Sequence, residues 1–454
     1  HGPPEFHRDP PGVPMRWLIV LLIWVLVLGD ILGMGMSLAP GLSIKNLLLY
    51  WILFAMLARM IVTGEWRFEL MPVQVAFALF IGYAILSFFI AGVMVRYVRY
   101  DIVQSGIALK AQLIDPALFF FATFYALRTR VDAMTALKGL ALALAAANFF
   151  TITDVIGLTH FGVKVGDSGA EAGRVFGMFG HANETGGLIA CTVPAIIALA
   201  ATSRLRLIWW GAALVSLAVL VMTVSRGAFV AAAIGTLWTL YMCRRYLPMG
   251  LVIRAGVLGA VGFGMVMTLV ILIEPTIGAT LSDRLLGQST SIDVDEVSSG
   301  RLAIWGNAIG LMMRQPLTLF TGYGWDTYAV MPVHLATHNH YLSVWFELGI
   351  PGLATFVFIL VYVIVVARRA LDLADEVLQP HLIALICGLL SLSIALMFGN
   401  MVNPWPYLWI YIGIGMRLAM LAKEAASERE AAPALQTVPI GPAAPAFRFK
   451  RQVT

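Results

Sequence analysis

The sequence predicts an all-α, polytopic membrane protein with about 12 transmembrane helices and one large, partly helical outer loop. Of its 454 residues, 60% are hydrophobic and only 12% are charged. Soluble domains contain about 25% charged residues, so this composition is typical of a chain that lies in lipid. Apolar runs long enough to cross a bilayer recur along the sequence, and one polar stretch, 274–350, interrupts them.

Each predicted span is an apolar run of roughly 20 residues, the length that crosses a bilayer as a helix. The runs lie at 17–36, 44–63, 72–92, 113–128, 133–155, 184–203, 205–222, 227–243, 251–273, 351–368, 380–400 and 405–422. The fourth is the shortest. Residues 205–243 are too many for one crossing at about 1.5 Å per residue. We therefore expect a tight turn at 225–227.

Short basic loops predict the orientation of the spans, because cytoplasmic loops are enriched in Lys and Arg. Four arginine pairs fall on the same side of the twelve-span arrangement, together with Arg16 and the C-terminal tail. The pairs are Arg128/Arg130, Arg204/Arg206, Arg244/Arg245 and Arg368/Arg369. We therefore expect both termini in the cytoplasm, and the 274–350 loop outside with 93–112 and 156–183. The net charge of +5 is small and dispersed, which does not indicate nucleic-acid binding.

The two ends of the chain are predicted to lie outside the bundle. Residues 1–12 resemble a tag-cleavage and cloning remnant. The run 17–36 has no small-residue cleavage site after it, so we expect an anchor and not a removed signal peptide. Residues 13–273 would hold spans one to nine, 351–422 the last three, and 423–454 an Ala/Pro-rich, disordered cytoplasmic tail.

The cysteines do not resemble a disulfide framework or a metal set. Cys191, Cys243 and Cys387 all lie inside or at the edge of apolar runs. Small buried hydrophobic residues are the simplest interpretation.

The first chemically notable segment of the outer loop is an amphipathic helix that begins at Arg301 and ends before Pro316. A cation in the first turn of a helix opposes the helix dipole, and a nearby anion would offset that penalty. Arginine also binds phosphate in bidentate fashion. Arg226 lies at the turn between two spans, where it either reaches lipid headgroups or forms an anion site.

A short helix is predicted over residues 338–348, with Thr337 as its N-cap and Gly349 at its end. Pro351 would open the next span. A helix N-terminus would lower the pKa of His338 toward the neutral, basic form, which suits a general base. A hydrogen-bonded interfacial histidine is the alternative interpretation.

Metal binding is not expected. His334 and His338 have i, i+4 spacing, but no Cys or well-placed carboxylate completes a ligand set. The acidic run of Asp293, Asp295 and Glu296 is better explained as a solvated loop.

Two further groups of polar residues are candidates for substrate binding. His181 and Asn183 precede the sixth span, either as a plain helix start or as part of a sugar-binding lip. Arg96, Arg99 and Lys110 lie on the predicted outer loop 93–112, where they are candidates for contacts with phosphate groups of a substrate.

Four segments together resemble the O-antigen ligase/polymerase superfamily, and within it most closely the lipopolysaccharide O-antigen ligases. They are SRGA (225–228), SGRLAIW (299–305), GYG (322–324) and HNHYLSVWFELGIPG (338–352). No single segment is specific to this superfamily. The order of the four segments within a twelve-span frame is specific to it. The resemblance by motif covers roughly 180–370.

The resemblance implies a GT-C-like, all-helical inner-membrane glycosyltransferase that needs no metal or other cofactor. It would transfer a finished glycan from undecaprenyl diphosphate to the lipid A–core oligosaccharide at the periplasmic face, and membrane lipids would surround it. The family's essential histidine corresponds to His338 and its two essential arginines to Arg226 and Arg301. Tyr323 and Asn339, inside two of the motifs, become further candidates for substrate binding.

Three alternatives remain. A polysaccharide polymerase would use the same donor with a growing lipid-linked chain as acceptor. A protein O-glycosyltransferase would use a serine or threonine acceptor. A secondary transporter would need internal repeats or charged residues at mid-membrane. Asp30 and Asp154 instead lie near span ends, and the two halves show no clear repeat.

Overall fold

The computed structural model confirms an all-α polytopic fold. It describes residues 15–31, 37–39, 41–64, 71–167, 171–247, 249–286, 300–331, 337–402 and 405–431. The helices are α1 Met15–Ile31, α2 Ile44–Thr63, α3 Pro72–Phe89, α4 Ile102–Leu109, α5 Asp115–Ala126, α6 Arg130–Val155, α7 Ala182–Thr202, α8 Arg206–Met222, α9 Arg226–Met242, α10 Met249–Ile273, α11 Pro275–Leu286, α12 Arg301–Arg314, α13 Leu317–Thr321, α14 His340–Leu373, α15 Gln379–Ala395 and α16 Trp405–Ala431. Strands Ser37–Ala39 and Leu42–Ser43 form a minimal antiparallel pair.

A helix overlaps each of the twelve predicted apolar runs. Within the described residues, seven helices are long and apolar enough to cross a membrane, and α1, α8 and α15 include shorter apolar helices. The polytopic membrane character is therefore confirmed, while the count of twelve crossings remains a prediction.

The fourth span is longer than predicted. Helical structure runs from Ile102 to Ala126, through a π-helical segment at Lys110–Ile114, so it does not begin at 113. The Asp101 side chain caps its start by accepting hydrogen bonds from the Val103 and Gln104 amides. Because this part of the span contains polar residues, its sequence did not stand out as an apolar run. Residues 102–112 therefore belong to a helix and not to an outer loop.

Two other predicted boundaries differ from the structure. α16 continues to Ala431, so the first residues of the predicted disordered tail are helical. The predicted helix 338–348 and the following span form the single element α14, but Gly349 has φ +61° and ψ −164° inside it. The predicted break at Gly349 is thus present as a kink. An added Cβ there would lie 2.1 Å from the Phe320 carbonyl oxygen, so only glycine fits.

The predicted outer region is partly helical, as expected, with α11, α12 and α13 in it. α12 begins at Arg301 after Gly300 and ends at Arg314, which confirms the predicted amphipathic helix. His334 and the acidic run 293–296 lie outside the described residues, as do 1–14 and 432–454. The metal interpretation at His334 and the interpretations of both termini therefore stay predictions.

Helix α7 lies at the centre of the bundle and positions the candidate site. It packs against α8, α9 and α15, and 94% of the residues in an apolar 18-residue stretch of this helix are buried. Small residues along α7 permit this close packing. A Cβ on Gly186 would lie 2.7 Å from the Ala228 side chain, and one on Gly187 the same distance from Met401. The beginning of α7 is therefore pressed against the beginning of α9 and the loop after α15.

Candidate functional site

The candidate site is built on the N-terminus of α7. His181 is the N-cap residue, and its Nδ1 accepts a hydrogen bond from the Asn183 amide at 3.2 Å. Glu184, in the first turn, is buried and accepts a hydrogen bond from the Val402 amide at 3.1 Å. The loop that follows α15 is thereby fixed at this end of α7.

Asn183 connects three segments that are distant in sequence. Its Oδ1 accepts hydrogen bonds from Arg174 Nη2 at 2.7 Å and from the Ser225 hydroxyl at 2.9 Å. Arg174 Nε also donates to the Thr223 carbonyl at 3.0 Å. Because all of these groups are buried, their hydrogen bonds hold the 223–225 turn firmly against α7. Arg226, the first residue of α9, directly follows this turn.

Phe398 brings the two arginines to one place. A Cβ on Gly227 would lie 2.3 Å from Phe398 Cβ, so this phenylalanine packs directly on the backbone next to Arg226. The Arg301 guanidinium carbon lies 6.0 Å from the centre of the same ring. This distance is within the range of a cation–π contact. The backbone next to Arg226 and the guanidinium of Arg301 therefore lie against the same Phe398 side chain, from two different helices.

His338 lies in a short loop before α14, with φ +48°. Its ring centre is 6.1 Å from that of His181. The preceding Thr337 hydroxyl contacts Asn400 Oδ1 at 3.1 Å and the Ser343 hydroxyl at 2.6 Å. A non-glycine residue in the left-handed region is uncommon and is held there by its surroundings. The loop thus holds the imidazole at a fixed position beside α7.

Both histidines of the site are neutral at neutral pH. Burial, followed by the charge of Arg301 and the neighbouring His181, lowers the pKa of His338 to about 4, against an opposing contribution from Glu171. Burial also lowers the pKa of His181, with Glu171 opposing and the two cations Arg174 and Arg301 adding to the effect. The expected neutral state of His338 is therefore present. Its main causes are burial and Arg301 rather than a helix N-terminus.

The structure corrects the predicted helix cap near His338. Asn339, and not Thr337, is the N-cap of α14, since its side chain accepts a hydrogen bond from the Leu342 amide at 3.1 Å. Thr337 instead binds the loop that follows α15. A substrate contact by Asn339 would use the remaining polar atoms of this capping side chain.

The other proposed substrate-binding residues lie in structural contacts. Lys110 forms a 2.7 Å ion pair with the buried Asp115 inside the fourth span, so its predicted place on an outer loop is wrong. Arg96 and Arg99 are exposed in the turn that follows α3, where Arg96 Nε donates to the Val93 carbonyl. Tyr323 is buried, and its hydroxyl donates to the Leu311 carbonyl at 2.9 Å. Its contacts indicate a packing role.

Sequence reasoning missed Phe398 and Asn400 and gave no role to Arg174. The first two lie in the short link between α15 and α16, and only the folded chain shows that this link reaches α7, α9 and the His338 loop. Arg174 did carry a signal. It was one of several basic residues in outer segments, where the charge bias of membrane proteins disfavours them.

Comparison with known protein families identifies this region. The model of the family described as O-Antigen ligase matches residues 211–357. Residues 211–357 are therefore similar to the O-antigen ligase family. Arg226, Arg301 and His338 all lie within the match, whereas His181 and Asn183 precede it. The match supports membership of the superfamily that contains O-antigen ligases and polymerases. A search among curated proteins returns no match.

Proposed function

We propose that the protein is a metal-independent, inverting glycosyltransferase that moves O-antigen polysaccharide from undecaprenyl diphosphate to the lipid A–core oligosaccharide. The observation that carries this proposal is the neutral imidazole of His338 near the charge of Arg301, with the turn that carries Arg226 packed on the same Phe398 side chain that Arg301 contacts. All three residues lie within the O-antigen ligase match. They supply a base and two cations, which is the minimum that a lipid diphosphate donor requires.

The two arginines have a clear task in such a transfer. The bond between the anomeric carbon and the diphosphate oxygen breaks, and negative charge develops on the leaving diphosphate. Preorganised cations in a partly buried site stabilise that charge strongly. Losing one such group costs on the order of 3 kcal/mol in the barrier, or about 10²-fold in rate.

His338 has the complementary task. Its neutral imidazole takes the proton from the acceptor hydroxyl while that oxygen forms the new bond at the anomeric carbon, on the face opposite to the departing diphosphate. The product is therefore inverted at that carbon. A positioned general base contributes roughly 10²- to 10⁴-fold to a rate.

We also propose that the site faces the periplasm in the bacterial inner membrane. The starts of α7, α9 and α14 form the site, whereas Arg204, Arg244 and Arg368 lie at or near their opposite ends. Since basic residues cluster on the cytoplasmic side, this arrangement supports a periplasmic site and cytoplasmic termini.

The decisive experiment is reconstitution of the purified protein in liposomes with lipid-linked glycan and lipid A–core as separate components. Glycan attached to lipid A–core supports the ligase. Longer glycan on the lipid carrier would instead make the protein a polymerase. Movement of labelled lipid or sugar across the bilayer without covalent transfer would make it a transporter.

The control variant should remove the imidazole without straining the backbone. Asparagine tolerates the left-handed region that His338 occupies, so His338→Asn is preferable to alanine. We expect His338→Asn to fold and to lose at least about 10²-fold in transfer rate. Transfer by this variant at the wild-type rate would remove the general-base role.

A further inference from the structure

A second cavity lies next to the proposed catalytic site. Its volume is about 410 Å³, within the size range of small-ligand pockets. Trp325, Tyr328, His340 and Glu347 are among the residues that line it, and Trp405 contributes a further aromatic side chain. The site built from Arg226, Arg301 and His338 does not use any of these side chains.

Three polar atoms at this cavity are buried and lack a hydrogen-bond partner among the described residues. They are the indole nitrogen of Trp325, the hydroxyl of Tyr328 and Nδ1 of His340. Buried polar groups in proteins are normally paired, because an unpaired one loses its hydration without compensation. The three residues that carry these atoms all line this one cavity, and a polar molecule bound there would supply hydrogen-bond partners that the described residues do not.

The wall that carries these atoms is rigid. The Trp325 amide donates to the Ser87 hydroxyl at 3.0 Å, and its carbonyl accepts from the Tyr100 hydroxyl at 2.8 Å. The Gly324 amide donates to the Glu347 carbonyl at 2.9 Å, which fixes the loop on α14. A preformed wall of this kind binds a ligand without the entropic cost of ordering a loop.

The described lining of the cavity offers no cation that would bind phosphate. The ionisable groups that line it are the carboxyls of Asp326 and Glu347 and the imidazole of His340, and no Lys or Arg is among the described lining residues. Carboxyl and amide oxygens accept hydrogen bonds from hydroxyl groups, and Trp rings pack against the apolar face of a sugar ring. The lining therefore fits an uncharged, hydroxyl-rich molecule.

The cavity shares a wall with the His338 loop. Asn400 and Ser343 line the cavity, and both contact the Thr337 hydroxyl, one residue before His338. The cavity therefore lies beside the loop that carries His338.

We propose that this cavity is a saccharide subsite, in which Tyr328, Trp325 and Glu347 bind the hydroxyl groups of an uncharged sugar next to the transfer site. This proposal rests on the proposed function, because the subsite has a role only if glycosyl transfer takes place at the neighbouring site. The sugar belongs either to the lipid A–core acceptor or to the glycan of the donor, and the chemistry of recognition is the same for both.

The test uses Tyr328→Phe, which removes one unpartnered hydroxyl and keeps the ring that packs edge-on against Phe346. Removing a buried hydroxyl that the protein itself leaves unpaired should not lower the melting temperature. The matched control is Tyr341→Phe, because the Tyr341 hydroxyl donates to the Ser393 carbonyl at 3.0 Å and its side chain is not among those that line the cavity. Losing that bond should lower the melting temperature without affecting sugar binding.

Binding is measured without catalysis, by saturation-transfer NMR on the protein in nanodiscs. The probes are the core oligosaccharide, released by mild acid from lipopolysaccharide that lacks O-antigen, and the O-antigen glycan, released by mild acid from its lipid diphosphate carrier. We expect one of them to bind wild-type protein, and Tyr328→Phe to weaken its binding roughly two- to tenfold, as loss of one hydrogen bond does. In the transfer assay the same variant should raise KM for the substrate that carries that sugar.

The outcomes separate this proposal from the proposed function. Sugar binding that Tyr328→Phe weakens, in a protein that transfers no glycan, would support the subsite and refute the transferase. Glycan transfer with no binding of either probe, or with equal binding and equal KM values in wild type and Tyr328→Phe, would refute the subsite alone. Which probe binds decides between acceptor and donor.

Discussion

The close packing of Gly227 against Phe398 leads to a sharp prediction for Gly227→Ala. The new Cβ would lie 2.3 Å from Phe398 Cβ and 2.5 Å from its Cγ. Carbon atoms in contact are normally about 3.5–4.0 Å apart. One of the two segments must therefore move by on the order of 1 Å. The moving parts are the beginning of α9, which carries Arg226, and the ring that Arg301 approaches.

This displacement has a cost in stability and a larger cost in rate. Overpacking a well-filled site costs typically 1–3 kcal/mol, from which the better helix propensity of alanine subtracts up to about 1 kcal/mol. A misplacement of about 1 Å at catalytic groups lowers rates by roughly 10²-fold. We therefore expect Gly227→Ala to fold with a modestly lower melting temperature and to transfer glycan about 10²-fold more slowly in the reconstituted assay.

The chain provides a matched control in the neighbouring helix. A Cβ on Gly211 of α8 would meet nothing within 4 Å, so Gly211→Ala should keep full activity and should not lower the melting temperature. Equal transfer rates and melting temperatures for Gly227→Ala and Gly211→Ala would refute the claim that Phe398 sets the spacing of the two arginines. The double variant Gly227→Ala/Phe398→Ala tests the same contact, since it should lose less than the sum of its single changes.

Three further predictions concern charge. Arg301→Gln removes a cation that lowers the pKa of His338. The acidic limb of the pH profile of kcat/KM should therefore move to higher pH by on the order of one pH unit. Arg301→Lys keeps the positive charge and should leave the acidic limb in place. Because the folded-state pKa of His338 is about 4, below the unfolded value of about 6.5, its contribution to stability is complete above pH 6.5 and is lost as the pH falls toward 4. Melting temperatures of His338→Asn should consequently fall less than those of wild type over that window. Asp115→Ala leaves Lys110 without its carboxylate partner in the fourth span. The free energy of unfolding should fall by on the order of 2 kcal/mol, a value already reduced because Lys110 is partly exposed. KM for the donor should not change.

Much of the fold followed from the sequence because a lipid environment imposes a simple rule. In lipid, a chain segment must form its backbone hydrogen bonds internally, as a helix does. Long apolar runs therefore become helices at nearly the predicted positions. The rule failed where side chains inside a span pair with each other. Asn46 donates to Asp115 at 2.5 Å, and Lys110 binds the same carboxylate, which allows three polar residues to lie in the bundle. The Asn46–Asp115 bond joins residues that are 69 positions apart in sequence, and apolar periodicity does not show it.

The candidate site was only partly predictable, for a related reason. The types of residue at 226, 301 and 338 indicated cations and a base, and the structure brings them to one end of the bundle. Their supports were not predictable. Phe398 and Asn400 act through contacts with segments more than 50 residues away, and neither residue type by itself suggests a role at a site.

The position of Arg301 gives the site an order of events. Burial, followed by the charge of Arg301, holds the pKa of His338 at about 4, so the imidazole is neutral but only weakly basic. A bound diphosphate would place negative charge against the same guanidinium and cancel much of its effect on the ring. The pKa of His338 would then rise toward its ordinary value, since an anion nearby favours the protonated form. In the proposed transfer, the histidine would therefore become an effective base only when the donor is in place. Removal of the acceptor proton would then be linked to the presence of the group that must leave.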